Sequence, residues 1–175
     1  MKKVKIFYIL VNNLFNNEYW GLSMPFIEIM LYILIIIVTF FFMEGVAWFL
    51  HKYVMHGFGW YLHEDHHRYH KGRLEKNDVF GLIFSVISFL LILFGTLYVQ
   101  YYLVAFGIGV MMYGFAYFIV HDIFFHKRVK LKYKPKSDYM KRVLKAHAIH
   151  HQKSTPNSGV AFGFIYASKK YQKYI

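Results

Sequence analysis

The sequence predicts an all-α integral membrane protein, with three or four transmembrane helices and a histidine-rich helical cap on the cytoplasmic side. Three observations predict it. Hydrophobic residues make up 57% of the chain and aromatic residues 22%, an excess over what a soluble globule carries. From Val79 to Val120 no residue is charged, a run of 42 positions. One helix of that length would extend about 63 Å, roughly twice the ~30 Å hydrocarbon core of a bilayer, so the run must fold back as two spans. Of 21 lysines and arginines, 18 lie after Leu50, in the segments flanking that run, which by the positive-inside rule makes those segments cytoplasmic.

Each element follows in order along a single membrane-embedded domain, residues 1–175. Residues 1–24 contain three lysines and a short apolar stretch. Asn12, Asn13, Asn16, Asn17 and Glu18 then follow without a small-residue cleavage site, so the stretch is not a signal peptide. It reads as an interfacial segment or a weak extra span. Three crossings leave Lys2, Lys3 and Lys5 outside, a conflict that a fourth would remove. Residues 25–50 form the first long span, interrupted only by Glu28 and Glu44. Residues 51–78 form the first part of the cap. Residues 79–99 and 101–120 are the hairpin spans, turning between Thr96 and Tyr102, where Gln100 and several tyrosines supply interfacial side chains. Gly81 with Ser85, and Ala105 with Gly109, allow close helix approach or are incidental small residues. Residues 121–175 complete the cap. Within them, the basic stretch Lys127–Lys145 with Pro135 reads as a loop or surface helix at the headgroups, and 154–159 reads as a turn. The hairpin leaves one face and returns to it, so both parts of the cap share one side.

Ten of the eleven histidines fall into four clusters: His51 with His56, His63 with His66 and His67, His121 with His126, and His147 with His150 and His151. Zinc takes about four ligands and an octahedral ion about six, so ten imidazoles imply two metal ions. On a helix, positions i, i+3 and i+4 share a face, so each triplet can deliver three nitrogens to one small volume. The five-residue spacings place two rings about 140° apart on a regular helix. Either the helix unwinds, which Gly57 and Gly59 would allow after the first pair, or the two rings serve different ions. The spacing of His70 from His66 and His67 leaves its membership open. Ligating histidines usually donate their second nitrogen to a carboxylate or carbonyl. Glu44, two turns before His51, is the first candidate for that outer position, with Asp122, Glu64 and Asp65 behind it.

The chain has no cysteine, which excludes disulfides, iron–sulfur ligation and a thiolate nucleophile. Imidazole suits iron, zinc, copper and nickel alike. Oxidation of a C–H bond would require a redox metal, whereas hydrolysis would permit zinc. Topology with anionic lipid would account for the basic balance at least as well as an acidic protein partner, and no nucleic-acid partner is expected.

The motifs H-x4-H, H-x2-HH, H-x4-H and H-x2-HH, spread over apolar spans, resemble the membrane-bound fatty acid hydroxylase superfamily. Met43-Glu44-Gly45-Val46-Ala47-Trp48, His51-Lys52-Tyr53-Val54-Met55-His56-Gly57, Leu62-His63-Glu64-Asp65-His66-His67 and His121-Asp122-x3-His126-Lys127-Arg128 are similar to the bacterial β-carotene 3-hydroxylases within it. The resemblance covers roughly Met43 to Phe164. It implies a monooxygenase that hydroxylates C3 of β-ionone rings, turning β-carotene into β-cryptoxanthin and zeaxanthin. It also implies two ferrous ions held by the ten clustered histidines, O2 as co-substrate, and electrons from ferredoxin reduced at the expense of NADPH, whose docking the basic face would suit. A carotene stays in the bilayer, and Phe40, Phe41, Phe42, Trp48, Phe115, Tyr117 and Phe118 could line its groove or face lipid. The competing readings are another oxygenase of the superfamily, acting on a sterol, acyl lipid or alkane, and a histidine-rich metal transporter or metal-binding protein. Transport sites lie near the bilayer midplane, whereas these histidines lie beyond the uncharged cores.

Overall fold

The computed structural model describes residues 26–68, 74–132, 134–152, 155–156 and 159–174. The interfacial segment at residues 1–24, the fourth crossing and His70 lie outside the described residues. Every regular element among the described residues is helical. Helix α1 spans Phe26–Phe49 and continues as a π-helical stretch, Leu50–Phe58. The short α2 (Trp60–His63) runs into a 3₁₀ turn, Glu64–His67. Helices α3 (Asp78–Leu97) and α4 (Tyr101–Tyr117) form the hairpin, and α4 also continues as a π-helical stretch, Phe118–Phe125. Helix α5 is Asp138–His150, and a 3₁₀ segment, Lys169–Tyr174, lies near the C-terminus.

Among the described residues three helices are long and apolar enough to cross a membrane: Phe26–Phe58, Asp78–Leu97 and Tyr101–Phe125. In lipid a helix satisfies its own backbone polar groups, which is why these apolar runs are helical throughout. The 33 residues of Phe26–Phe58 would extend about 50 Å, well beyond the ~30 Å of a bilayer core. Their last turns, which carry His51 and His56, therefore project past the hydrocarbon.

The hairpin turn falls where the polar residues predict it. The Gln100 N–H donates to the Gly95 carbonyl at 2.7 Å and the Val99 N–H to the Thr96 carbonyl at 3.3 Å, closing α3 with a Schellman-type cap. Val99 occupies the left-handed position with φ 55°, which glycine usually fills.

Helix α4 packs against both α1 and α3. A Cβ on Gly109 would stand 2.6 Å from the Thr39 Cβ, and one on Gly107 would stand 2.7 Å from the Ile92 Cγ1. The Ser88 hydroxyl donates to the Gly107 carbonyl at 2.8 Å. Ala105 and Gly109 are buried, as their spacing anticipates, but Gly81 and Ser85 make no close approach. Nothing lies within 4 Å of where a Gly81 Cβ would sit, and the Ser85 hydroxyl turns back to the Gly81 carbonyl. The hairpin is tight at its turn and opens toward the cap, where Met43, Val110, Tyr113 and Phe164 form a core with Phe40, Phe84 and Tyr117 around them. Phe41, Phe42, Phe115 and Phe118 remain exposed and face the apolar surroundings.

The stretch Lys127–Lys145 is a loop followed by α5, whose Ser137 hydroxyl accepts from the Met140 N–H at the N-terminus. The C-terminal segment folds back over the cap. Ala167 and Tyr171 pack on Val143 and Ala146 of α5, and the Tyr139 hydroxyl donates to the Ile165 carbonyl.

Candidate metal centre

Four elements deliver the histidines. A π-helical turn closes with i to i+5 hydrogen bonds and is wider than an α-helical one, so residues five apart lie nearer to one face than on a regular helix. The His126 N–H donates to the His121 carbonyl at 3.0 Å, an i to i+5 bond, and the Gly59 N–H reaches the Val54 carbonyl in the same way. Widening of both helix ends therefore brings the H-x4-H rings together, with centroids 5.2 Å apart for His51 and His56 and 4.6 Å for His121 and His126. Gly57 leaves helical geometry altogether (φ −112°, ψ −126°) and redirects the chain into α2. After His126 no glycine is needed, and the same widening occurs inside Phe118–Phe125.

Nine of the ten rings converge in two sets. His51, His56, His63, His67 and His150 offer ligand atoms within 4.8 Å of one another, and His66, His126, His147 and His151 do likewise. The tenth, His121, directs its Nε2 to within 3.1 Å of the His66 Nε2. The triplets are divided, contrary to the expectation that each would feed one volume. His63 and His67 join the first set while His66 joins the second, and His150 parts from His147 and His151 in the same way. The two sets are adjacent, with the His67 and His151 rings stacked 4.3 Å apart, so one helix face straddles both.

The ring orientations are fixed from outside. Nδ1 donates to the Phe162 carbonyl from His51 (2.9 Å), to the Pro156 carbonyl from His56 (3.0 Å) and to the Val160 carbonyl from His150 (2.7 Å). It donates to the Asn77 Oδ1 from His63 and to the Glu75 Oε2 from His66, both at 2.7 Å. A neutral imidazole that donates through Nδ1 has an unprotonated Nε2. Yet the Nε2 atoms of His51 and His63, and those of His56 and His150, face each other at 3.1 Å. Bare lone pairs at that distance repel, and a cation among them is the partner they fit. The His151 Nε2 is also buried with no hydrogen-bond partner.

Electrostatics agree. Burial first, then neighbouring imidazoles, pulls His63 and His150 down to about 3. Burial and the Arg128 charge lower His126 to about 4, and burial holds His66, His147 and His151 below the usual imidazole range as well. These rings stay neutral at physiological pH, the state in which imidazole binds metal. His147, His150 and His151 also stand at the C-terminal end of α5, where the helix dipole favours positive charge.

The expected outer carboxylates are mostly replaced by others. Among the described residues Glu44 bonds to no imidazole: it accepts from the Tyr113 hydroxyl (2.9 Å) and from the Ile165 and Tyr166 N–H groups (2.9 and 3.3 Å). It therefore fastens to α1 the segment whose Phe162 carbonyl holds His51. Glu64 pairs with Arg68 at the surface, and Asp65 accepts from the Lys76 N–H. Asp122 lies 3.5 Å from the His121 Nδ1 rather than beside His126. Glu75 and Asn77 do the work expected of these residues, and spacing gave no sign of them. Both stand just before the uncharged run, and only the fold carries them to His66 and His63. Arg128 completes the frame, pairing with Glu75 (2.7 Å), Asp78 (2.8 Å) and Asp122 (3.2 Å).

Comparison with known proteins places this arrangement. The chain is 43% identical over 136 residues to a β-carotene hydroxylase of Pseudescherichia vulneris, covering 78% of this chain and 77% of that one. It is 42% identical over 134 residues to one from Pantoea ananas, covering 77% and 76%. A Paracoccus relative of the same name is 39% identical over 135 residues, covering 77% and 83%. No solved structure matches the chain significantly. The family model for fatty acid hydroxylases matches residues 16–167, a span that includes all four histidine clusters, and the chain belongs to the fatty acid hydroxylase family.

Proposed function

We propose that this chain is a di-iron membrane monooxygenase that hydroxylates C3 of the β-ionone rings of β-carotene, giving β-cryptoxanthin and then zeaxanthin. The observation that carries the reading is the pair of adjacent histidine sets, in the first of which four Nε2 atoms, left unprotonated by Nδ1 donation, face each other in pairs at 3.1 Å. The relatives named β-carotene hydroxylase, at 39% to 43% identity, direct the reading to a carotene.

His51, His56, His63, His67 and His150 would hold one ion, and His66, His126, His147 and His151 the other, with His121 the tenth ligand beside His66. Five nitrogens in the first set exceed the four that zinc takes, and imidazole suits iron. When bound, the iron pair supplies activation of O2 and the electron handling that C–H oxidation needs. The balance is one C–H bond, one O2, two electrons and two protons giving one C–OH bond and one water. The chain's own residues hold the imidazoles neutral, fix their tautomers through Nδ1, and keep the centre buried at the end of the spans.

The electrons come from outside, because the chain has no cysteine and no glycine-rich nucleotide motif. Reduced ferredoxin, supplied by NADPH, fits the basic cap. The positive-inside rule sets that cap on the cytoplasmic face of a bacterial inner membrane. The carotene remains in the bilayer and presents its ring at the spans' end.

The test is pigment analysis of aerobic cells that accumulate β-carotene, expressing the intact chain or His63→Ala. New β-cryptoxanthin and zeaxanthin with the intact chain alone are expected. Unchanged β-carotene, despite membrane expression and a competent electron donor, would transfer the reading to another lipid substrate or to metal handling.

A further inference from the structure

A cavity of 320 Å³ lies against the last two turns of α1, lined by Glu44, Gly45 and Trp48 on one side and by residues 161–171, among them Phe162, Tyr166 and Lys170, on the other. That is near the lower limit of small-molecule sites, about 300 to 1,000 Å³. Three features connect it to the histidine sets.

Phe162 is shared between the two. It lines the cavity, and its ring stands edge-on to His51, His56 and His150, with centroids 5.4, 5.3 and 5.4 Å away. One residue therefore borders both the cavity and the first set. The depth also fits. Gly45 and Trp48 precede His51 by six and three residues, or roughly 9 and 4.5 Å along the helix, so the cavity sits at the end of the apolar span. Finally, Gly45 leaves its floor open: a Cβ there would meet nothing within 4 Å. A larger side chain at that exposed position has no neighbouring atom to displace and extends over the cavity's mouth.

We infer that this cavity receives the terminal ring of the apolar lipid substrate, and that Phe162 is the partition setting which ring carbon reaches the histidine sets. The inference rests on the proposed hydroxylase reading. A chain-like lipid of many carbons is too large for 320 Å³, but one ring fits while the remainder stays in the bilayer. Trp48, Phe162 and Tyr166 give that ring flat aromatic faces. Glu44 is the anchor that keeps the wall in place, through the Ile165 and Tyr166 N–H groups.

The test uses the full chain, reconstituted with iron in vesicles containing β-carotene. Gly45→Leu is expected to slow hydroxylation at least about tenfold, the effect of a few misplaced methylenes in an apolar pocket, with iron content unchanged. Gly45→Ala should slow it less than Gly45→Leu does, since one methyl fills less of the space. Saturable quenching of tryptophan emission by β-carotene in the metal-free protein should disappear in Gly45→Leu and persist in Gly45→Ala. Trp48→Ala widens the same cavity, and its side chain packs on Tyr53 and Lys52 rather than on any histidine. It should raise KM while iron content holds, which decides the matter if Gly45→Leu fails to retain metal. Wild-type rate and quenching in Gly45→Leu, or an unchanged KM in Trp48→Ala, would overturn the subsite. If the unmodified chain forms no hydroxylated product while the quenching still depends on Gly45, the reaction assignment fails and the ring subsite stands.

Discussion

A neutral histidine that donates through Nδ1 presents an unprotonated Nε2, and here five rings donate in that way. The sequence shows the ten rings because their spacing repeats. It does not show who holds them, because the Phe162, Pro156 and Val160 carbonyls and the Glu75 and Asn77 side chains are joined to their rings only by tertiary packing. Glu44 illustrates the limit: its place two turns before His51 is right, but its partners are Tyr113 and the backbone of residues 165 and 166. Replacing Glu75 with alanine removes the acceptor for His66 and leaves Arg128 one partner short. Iron affinity of the second set should fall about 10- to 100-fold, the usual cost of losing an outer partner. Metal titration of the purified protein measures it, and an unchanged affinity would mean that Glu75 is only a surface acid. Asn77→Ala should do the same to the first set through His63.

At the level of elements, the three apolar helices and the turn near Gln100 were legible, whereas the single helix face expected for His63, His66 and His67 is broken by a 3₁₀ turn. The π-helical ends were not legible either. A regular helix would set rings five apart about 140° from each other, and nothing in the composition of Phe118–Phe125 marks its wider turn. The hairpin cap provides a test at this scale. Val99 is held in the left-handed region at a cost of about 1–2 kcal/mol. Val99→Gly relieves that strain and gives back about 0.5–1 kcal/mol in chain entropy. A net gain of up to roughly 1 kcal/mol in stability is expected, visible as a raised thermal midpoint in detergent.

Across the whole molecule, the decisive inference from sequence was that a long uncharged run must cross twice and so return both pairs of clusters to one side. The structure brings them together, with the first set drawing on α1, α2 and α5 and the second on the cap, the end of α4 and α5. The division of each triplet between two sets was not legible, since it depends on how four elements meet. The topology is open to cysteine labelling, because the chain has no cysteine of its own. Val99 at the hairpin turn and Leu131 in the basic loop are both exposed. A membrane-impermeant maleimide should label Val99→Cys in intact spheroplasts and Leu131→Cys only after lysis. The reverse pattern would invert the proposed orientation.

The central claim is that the two histidine sets together hold an iron pair. It is tested most directly by metal analysis with Mössbauer spectroscopy of the purified, iron-reconstituted chain, beside His63→Ala and His147→Ala. The expected result is about two iron ions per chain in a spin-coupled pair, with the coupling lost in either variant. A single ion, or two uncoupled ones indifferent to both substitutions, would contradict it.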